Sequence, residues 1–354
     1  MTAVGAPWWL AEQVGARVAG EGPAGALSGD LTTLCADGAQ RVMAATGMTP
    51  AAPLPPPEAV ERNAWVSANL RSMAVLADPL VARIGREAGS LGAVGRGAGG
   101  TVLAVEAGAL TGLLGQRVLG QYELVLTDPG TQPRLLFVRP NLVEAARRLD
   151  VDAGQFLAWV AFHEVTHAVQ FAAAPWLQGH LGDLLGELLA SLDLRAGDRD
   201  GARRLPPLSD LRTLVERVRE GGLVLAVAGP ERRAILERVQ AAMALVEGHA
   251  EHVMDLVGAD ALPDLARLRR ALDRRRRERP VLMAVLEKLL GLDLKMRQYR
   301  DGRAFCDAVA AAGGPQALRH AFSGPDAVPT MAELADPPAW LRRTGAPRSA
   351  ARGG

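Results

Sequence analysis

The stretch Phe162-His163-Glu164-Val165-Thr166-His167-Ala168-Val169-Gln170-Phe171 decides the reading of this chain. It is an HExxH pentapeptide set in apolar, helix-favouring sequence. Asp152, with Gln155 three residues on, predicts the start of a helix, and Pro175 stops it near Ala173. Residues four apart in a helix share a face, one turn above the other. His163 and His167 can therefore grip one metal ion, and Glu164, beside the first of them, reaches a metal-bound water. The plainer alternative is a pair of core histidines satisfied by hydrogen bonds.

A catalytic zinc takes three protein ligands and keeps one position open for water. HExxH supplies two. The extended form HExxHxxGxxH is absent, because Ala173 stands where its third His would be. The third ligand is sought instead in Val246-Glu247-Gly248-His249-Ala250-Glu251-His252-Val253-Met254-Asp255, late in a helix that begins near Pro230. Glu247 and Glu251 lie one turn apart, as do Glu251 and Asp255. Two pairings follow. Either Glu247 ligates and Glu251 accepts a hydrogen bond from a ligand imidazole, or Glu251 ligates and Asp255 takes the outer role. His249 and His252 are rival ligands. Gly248 costs helix stability with no return visible in the sequence.

Composition narrows the function classes. Of 354 residues, 49% are hydrophobic and only 4% aromatic, which predicts a sizeable core of closely packed helices. A formal net charge of +1 gives no global field toward nucleic acid or an anionic membrane. The arginines from Arg267 to Arg279 cluster on one helix without interleaved aromatics, and read as a solvated or internally paired face. Cys35 and Cys306 are too few and too far apart for a disulfide framework or a Cys-based zinc site, which fits a cytoplasmic setting. Met1 to Leu27 lacks the pattern of a signal peptide. Thr101 to Gly115 is too short for a membrane span and carries Glu106, so it reads as a buried helix packed through Gly108 and Gly112.

The expected architecture is mainly α, with a small β element before the HExxH helix. Residues 1–48 read as helices anchored by Trp8, Trp9, Leu10 and Val14, and Thr49 to Pro57 as a Pro-rich connector. Residues 58–88 return to helix, and Gly89 to Gly100 reads as a loop. Tyr122–Leu126 and Leu135–Val138 read as two strands joined by a turn at Asp128-Pro129-Gly130. Asn141, with Glu144, is the expected cap of the next helix. Helices then run through 176–257, broken near 198–207 and 221–230, through Leu262–Arg279, and through 287–311. By region, this gives an N-terminal helical part over 1–100, a catalytic part over 101–342 and a disordered tail over 343–354.

The motifs resemble a known group. A ligand Glu followed by Gly, any residue and Ala is the pattern of gluzincin peptidases, including the thermolysin-like and aminopeptidase groups, and Glu247-Gly248-His249-Ala250 is similar to it. The resemblance favours Glu247 over Glu251 as ligand. Phe162–Phe171, Pro175-Trp176-Leu177, Val246–Asp255, Gly291–Tyr299 and Pro337–Arg342 together resemble an actinobacterial family of zincin-like hydrolases described as associated with deazaflavin-coenzyme biosynthesis. The likeness spans most of 120–342. The gap from His167 to Glu247 is longer than in the well-known aminopeptidases and implies an inserted helical segment.

The resemblance implies a zincin-like fold and a zinc metallopeptidase or related amide hydrolase acting on a peptide or protein, with neither nucleic acid nor membrane as partner. Zinc would be held by His163, His167 and Glu247, with Glu251 orienting an imidazole. Glu164 would take a proton from the metal water and pass it to the leaving amine. Tyr299 is the donor to the oxyanion that related gluzincins suggest, with Arg297 and His252 as others. By analogy with zincins, Leu135–Val138 would offer an edge to an extended substrate. The competing reading is a non-catalytic zinc-binding helical scaffold or protein-interaction module, for which a general base at Glu164 would serve no purpose.

Overall fold

The computed structural model describes residues 6–87, 92–123, 131–191, 230–277 and 293–347, with backbone alone at 76, 77, 79–87, 92–99, 230, 275–277 and 293–300. The chain is mainly α-helical with one small sheet. It divides into two compact units: residues 1–38 with 54–168, and residues 39–53 with 169–354. Two helices, α2 and α6 below, run through the division without a break.

The first unit holds α1 (Trp8–Ala19), the start of α2 (Leu31–Thr46), β1 (Pro57–Val60), α3 (Arg62–Glu87), α4 (Gly92–Gly115), β2 (Gly120–Glu123), β3 (Arg134–Val138), α5 (Arg139–Leu149) and α6 (Ala153–Ala173) as far as Ala168. Small residues let α1 and α4 touch backbone to backbone. A Cβ on Gly108 would lie 2.3 Å from the Ala11 carbonyl oxygen, and one on Gly112 would lie 2.5 Å from that of Gly15. The segment Thr101–Gly115 is thus a helix packed through its glycines. Among the described residues no helix is long and apolar enough to cross a membrane. The Gly-rich stretch expected to be a loop instead forms the first turns of α4, from Gly92 onward. It continues an apolar helix whose partner is distant in sequence, and that packing overrides the poor helix propensity of glycine. Of the expected N-terminal anchors, Trp8 packs on the core, whereas Trp9 is 63% exposed.

β3 is the central strand. It pairs in parallel with β1, Pro57 opposite Leu135 through Val60 opposite Val138, and antiparallel with β2, Gly120 opposite Phe137 through Glu123 opposite Arg134. Leu135–Val138 are all buried, as a doubly flanked strand requires. Two expectations change here. Residues 57–60 are a strand rather than the start of a helix, and Leu135–Val138, paired on both sides, has no edge to offer. The antiparallel pair was expected, although β2 starts two residues early and its turn at 128–130 lies outside the described residues.

Asn141 is not a cap. α5 begins at Arg139, and the Asn141 side chain turns inward, where Oδ1 accepts from Arg62 Nε at 2.6 Å and Nδ2 donates to the carbonyls of Gly115 and Val118. Glu144 pairs with Arg62 at 2.6 Å instead of closing a capping box. A buried arginine demands partners, and that demand outweighs a local cap. Asp152, by contrast, caps α6 as expected, accepting from the Gln155 N–H at 2.8 Å.

The second unit contains the end of α2, the end of α6, α7 (Trp176–Ser191), α8 (Pro230–Ala261), α9 (Leu265–Arg277), α10 (Asp293–His320, kinked at Gly314), α11 (Met331–Ala335) and α12 (Pro337–Thr344). The Ala51 N–H donates to the Ala172 carbonyl at the end of α6. α8 and α10 cross in close contact: a Cβ on Gly248 would lie 2.2 Å from the Gly302 carbonyl carbon, and one on Gly302 would lie 2.0 Å from the Ala244 oxygen. Gly248 thus has its return in packing. Trp340 of α12 is fully buried, edge-on to Phe305, and its Nε1 donates to the Ala327 carbonyl. The expected breaks at 198–207 and 221–230 lie outside the described residues, as do 348–354 of the expected tail.

Candidate metal centre

α6 carries the HExxH residues, and it is an unusual helix. From Phe156 to Gln170 every side chain except that of His163 is buried, so it is apolar nearly all round, as an interior helix must be. Polar atoms in such a place need partners. Thr166 returns its hydroxyl to the Phe162 carbonyl at 2.7 Å. His163 lies flat against Trp159, one turn earlier, with ring centroids 5.9 Å apart and planes 8° from parallel. The Trp159 indole N–H, buried beside it, meets no acceptor among the described residues.

His163 and His167 meet edge to face, centroids 4.8 Å apart, with their Nε2 atoms separated by 3.3 Å. That distance is informative. It lies within hydrogen-bond reach, with donor and acceptor set by the tautomers. A tetrahedral zinc, with bonds of about 2.0–2.1 Å, sets two nitrogen ligands about 3.3 Å apart. The spacing of the two rings is one that a shared ion could take.

Glu164 points elsewhere on the same helix. It is buried, and its Oε2 accepts from the main-chain N–H of Tyr122 on β2 at 3.1 Å. Its methylene rests on Gly120, where a Cβ would lie 2.6 Å from Glu164 Cγ. The glycine makes room for the carboxylate. The Cys35 thiol is pushed up to about 12, chiefly by burial and further by the Glu164 charge.

Past the HExxH residues, α6 continues into the second unit, and there Gln170 fixes α8. Its Nε2 donates to the Val246 carbonyl at 2.9 Å and to Nδ1 of His249 at 2.8 Å. Glu247 is the next residue along α8. The chelating atoms of His163, His167 and Glu247 lie within 4.8 Å of one another. Two imidazoles and a carboxylate are a borderline-hard donor set of the kind zinc accepts, so the residues present fit that ion.

The rival candidates meet other partners. His249 is 1% exposed, held by Gln170, and set edge-on to Phe322 at 4.8 Å, which makes it a core histidine. His252 turns to Asp307, Nδ1 to Oδ1 at 2.6 Å. Asp255 is ion-paired with Arg269 of α9 and Arg303 of α10. Arg269 also shows the arginine-rich helix pairing internally. Glu251 sits half-buried one turn past Glu247 and is no member of the three-residue cluster. Tyr299 and Arg297 lie on the first turns of α10, where their side chains are outside the described residues. Sequence reasoning passed over Gln170 and Gly120. The spacing of Gln170, three residues beyond His167, was a signal for the former; the latter had none.

A model of the zincin-like metallopeptidase family matches residues 7–341. The chain belongs to that family. Among solved structures it is similar to a crystal structure from Chloroflexus aurantiacus, described as a "putative hydrolase with a novel fold", at 28% sequence identity and a TM-score of 0.71, covering 98% of this chain and 99% of that one. No curated protein matches it. The family and the solved neighbour agree on a hydrolase, and the family implies a metal, typically zinc. Nearly the whole of this zincin-like chain, from α1 to α12, is covered by the family model.

Proposed function

We propose that this zincin-like chain is a zinc-dependent metallopeptidase or closely related amide hydrolase, with the metal held by His163, His167 and Glu247 and with Glu164 as general base. The observation that carries the reading is the meeting of those three chelating groups, with a buried carboxylate on the same helix as two of them. A purely structural zinc site closes its fourth position with another protein ligand; among the described residues the cluster has three members, which suits an open fourth position.

Bound there, zinc supplies a Lewis acid and a water whose pKa is near neutral. Glu164 draws the proton from the attacking water and delivers it to the leaving amine. The β2 strand holds the Glu164 carboxylate through the Tyr122 N–H. Trp159 supports the His163 ring from behind. Glu251, one turn past Glu247, orients a ligand imidazole. The oxyanion that develops needs a donor from the chain, and Tyr299 and Arg297 remain for that role, since His252 is held by Asp307.

The substrate class is a peptide or protein, with no nucleic acid or membrane partner, in keeping with a net charge of +1. Cys35 and Cys306 are both buried thiols outside any disulfide, which suits a cytoplasmic setting. The resemblance to proteins associated with deazaflavin-coenzyme biosynthesis names a setting rather than a bond to be cut, so the test is made on peptides. Zinc-loaded wild type and Glu164→Gln are compared in a peptide-library digest with a chelator control. Cleavage by the wild type alone, abolished by chelation, supports the reading. Equal cleavage by both proteins overturns the role of Glu164. No cleavage by the zinc-loaded wild type moves the reading to a zinc-binding scaffold.

A further inference from the structure

We infer that Gln170 is the positioning residue that sets Glu247 in register with the two histidines; the inference rests on the metal reading above. The amide does two things at once. It donates to the main-chain carbonyl of Val246, immediately before Glu247, and to Nδ1 of His249, two residues after it. Gln170, Val246 and His249 are all buried, at 0%, 2% and 1% exposure. A side-chain amide inside an apolar helix is costly unless its hydrogen bonds are made, so its presence needs a compensating role.

The geometry supplies one. Gln170 lies three residues beyond His167 on a single rigid helix, about 4.5 Å along the axis. An amide anchored there and grasping α8 on either side of Glu247 fixes both the height and the rotation of α8 against α6. A slip of one residue along α8 would turn Glu247 by about 100° and carry its carboxylate away from the imidazoles. The opposite side of α8 is pinned as well, since Gly248 lies against the backbone of α10 at Gly302. Val246, Gly248 and His249 are thus all used for fixing the helix, and Glu247, between them, is the one presented to the histidines.

The test measures metal affinity rather than turnover. Zinc dissociation constants are determined by chelator competition, and the visible spectrum of the cobalt-substituted protein reports the coordination geometry. Wild type is compared with Gln170→Met, which keeps volume and removes the amide, and with Leu177→Ala, a core variant of α7 that loses stability without removing a polar group. Gln170→Met is expected to weaken zinc binding roughly 10–100-fold, as loss of a group that orients a ligand does, and to alter the cobalt spectrum. Leu177→Ala should keep wild-type affinity and spectrum. If Gln170→Met fails to fold, Gln170→Asn, one methylene shorter, takes its place with the same expectation. Wild-type affinity and spectrum in the amide variant overturn the inference, as does an equal loss in Leu177→Ala. A wild type that takes up no zinc overturns the metal reading and this inference together; a wild type that binds zinc beside an unimpaired Gln170 variant overturns this inference alone.

Discussion

The main-chain N–H of Tyr122 donates to Oε2 of Glu164 at 3.1 Å, and the same carboxylate leans on the bare Cα of Gly120. The general base proposed here is therefore held by a strand, not only by its own helix. A Cβ at Gly120 would meet Glu164 Cγ at 2.6 Å and Oε1 at 2.9 Å. β2 is paired to β3 and α6 is buried, so the side chain must turn. Gly120→Ala is expected to cost about 1–3 kcal/mol in a urea melt, to leave zinc content intact and to cut turnover by about 100-fold or more. Tyr122→Phe should leave turnover intact, because the donor is main chain. Full activity in Gly120→Ala would show that the placement of the carboxylate does not matter.

Glu164, Glu247 and Glu251 should separate cleanly in elemental analysis. Glu164→Gln keeps about one zinc per chain, Glu247→Ala loses it, and Glu251→Ala weakens binding by roughly 10–100-fold without abolishing it. Full affinity in Glu247→Ala together with loss in Glu251→Ala would reverse the assignment.

Gly248→Ala puts two effects in opposition. Helix propensity alone predicts a gain of about 1 kcal/mol. The added Cβ, however, would lie 2.2 Å from the carbonyl carbon of Gly302, and main chain cannot rotate away as a side chain can. We expect the clash to win, with a net loss of about 1–3 kcal/mol and a lower melting temperature. A raised melting temperature would mean that α8 and α10 do not cross this closely.

Asp255 neutralises two guanidinium groups, those of Arg269 and Arg303, and each of the three side chains is about 70% buried. Asp255→Ala leaves both cations without that partner and should destabilise by about 1–3 kcal/mol. Its zinc affinity should match the wild type, since Asp255 serves packing and not the metal. A stable variant that has lost its zinc would contradict both halves of this expectation.

Burial pushes the Cys35 thiol up to about 12 and raises that of Cys306 as well. An unfolded thiol ionises near about 8.5. The folded chain thus keeps these protons to higher pH than the unfolded chain does. The stability they contribute is whole below about pH 8.5 and is lost progressively as pH rises toward the folded values. Urea midpoints should fall on going from pH 8 to pH 10, and a thiol reagent at pH 8 should label neither cysteine until denaturant is added. Rapid labelling of Cys35 in the native protein would refute its burial.

What the sequence made legible were features fixed by neighbours along the chain. The Asp152 cap, the stop at Pro175, the HExxH spacing and the continuous apolar run of β3 all act within a few residues. What it hid depends on distant partners. β1 is four residues long, begins at a proline, and is a strand because β3 lies beside it. Asn141 has the composition of a cap, but Arg62 claims it from far upstream. Gly248 owes its place to α10, whose Gly302 backbone lies against it. The preference for Glu247 over Glu251 came from likeness to gluzincins, and the grip of Gln170 on α8 beside Glu247 is a contact between helices far apart in sequence.

The division of the chain into interleaved stretches bears on how the protein is born. Residues 39–53 leave the ribosome early, yet their partners in the second unit begin only at 169. The whole of 54–168 must be synthesised in between. The first unit can close once Ala168 has emerged, whereas the early segment waits for the C-terminal half before it is covered. A nascent chain stalled between these points would hold a finished sheet and an HExxH helix with its end exposed, which is a natural substrate for chaperones. No single cut in the gene separates one unit from the other, so neither is available as an independent fragment.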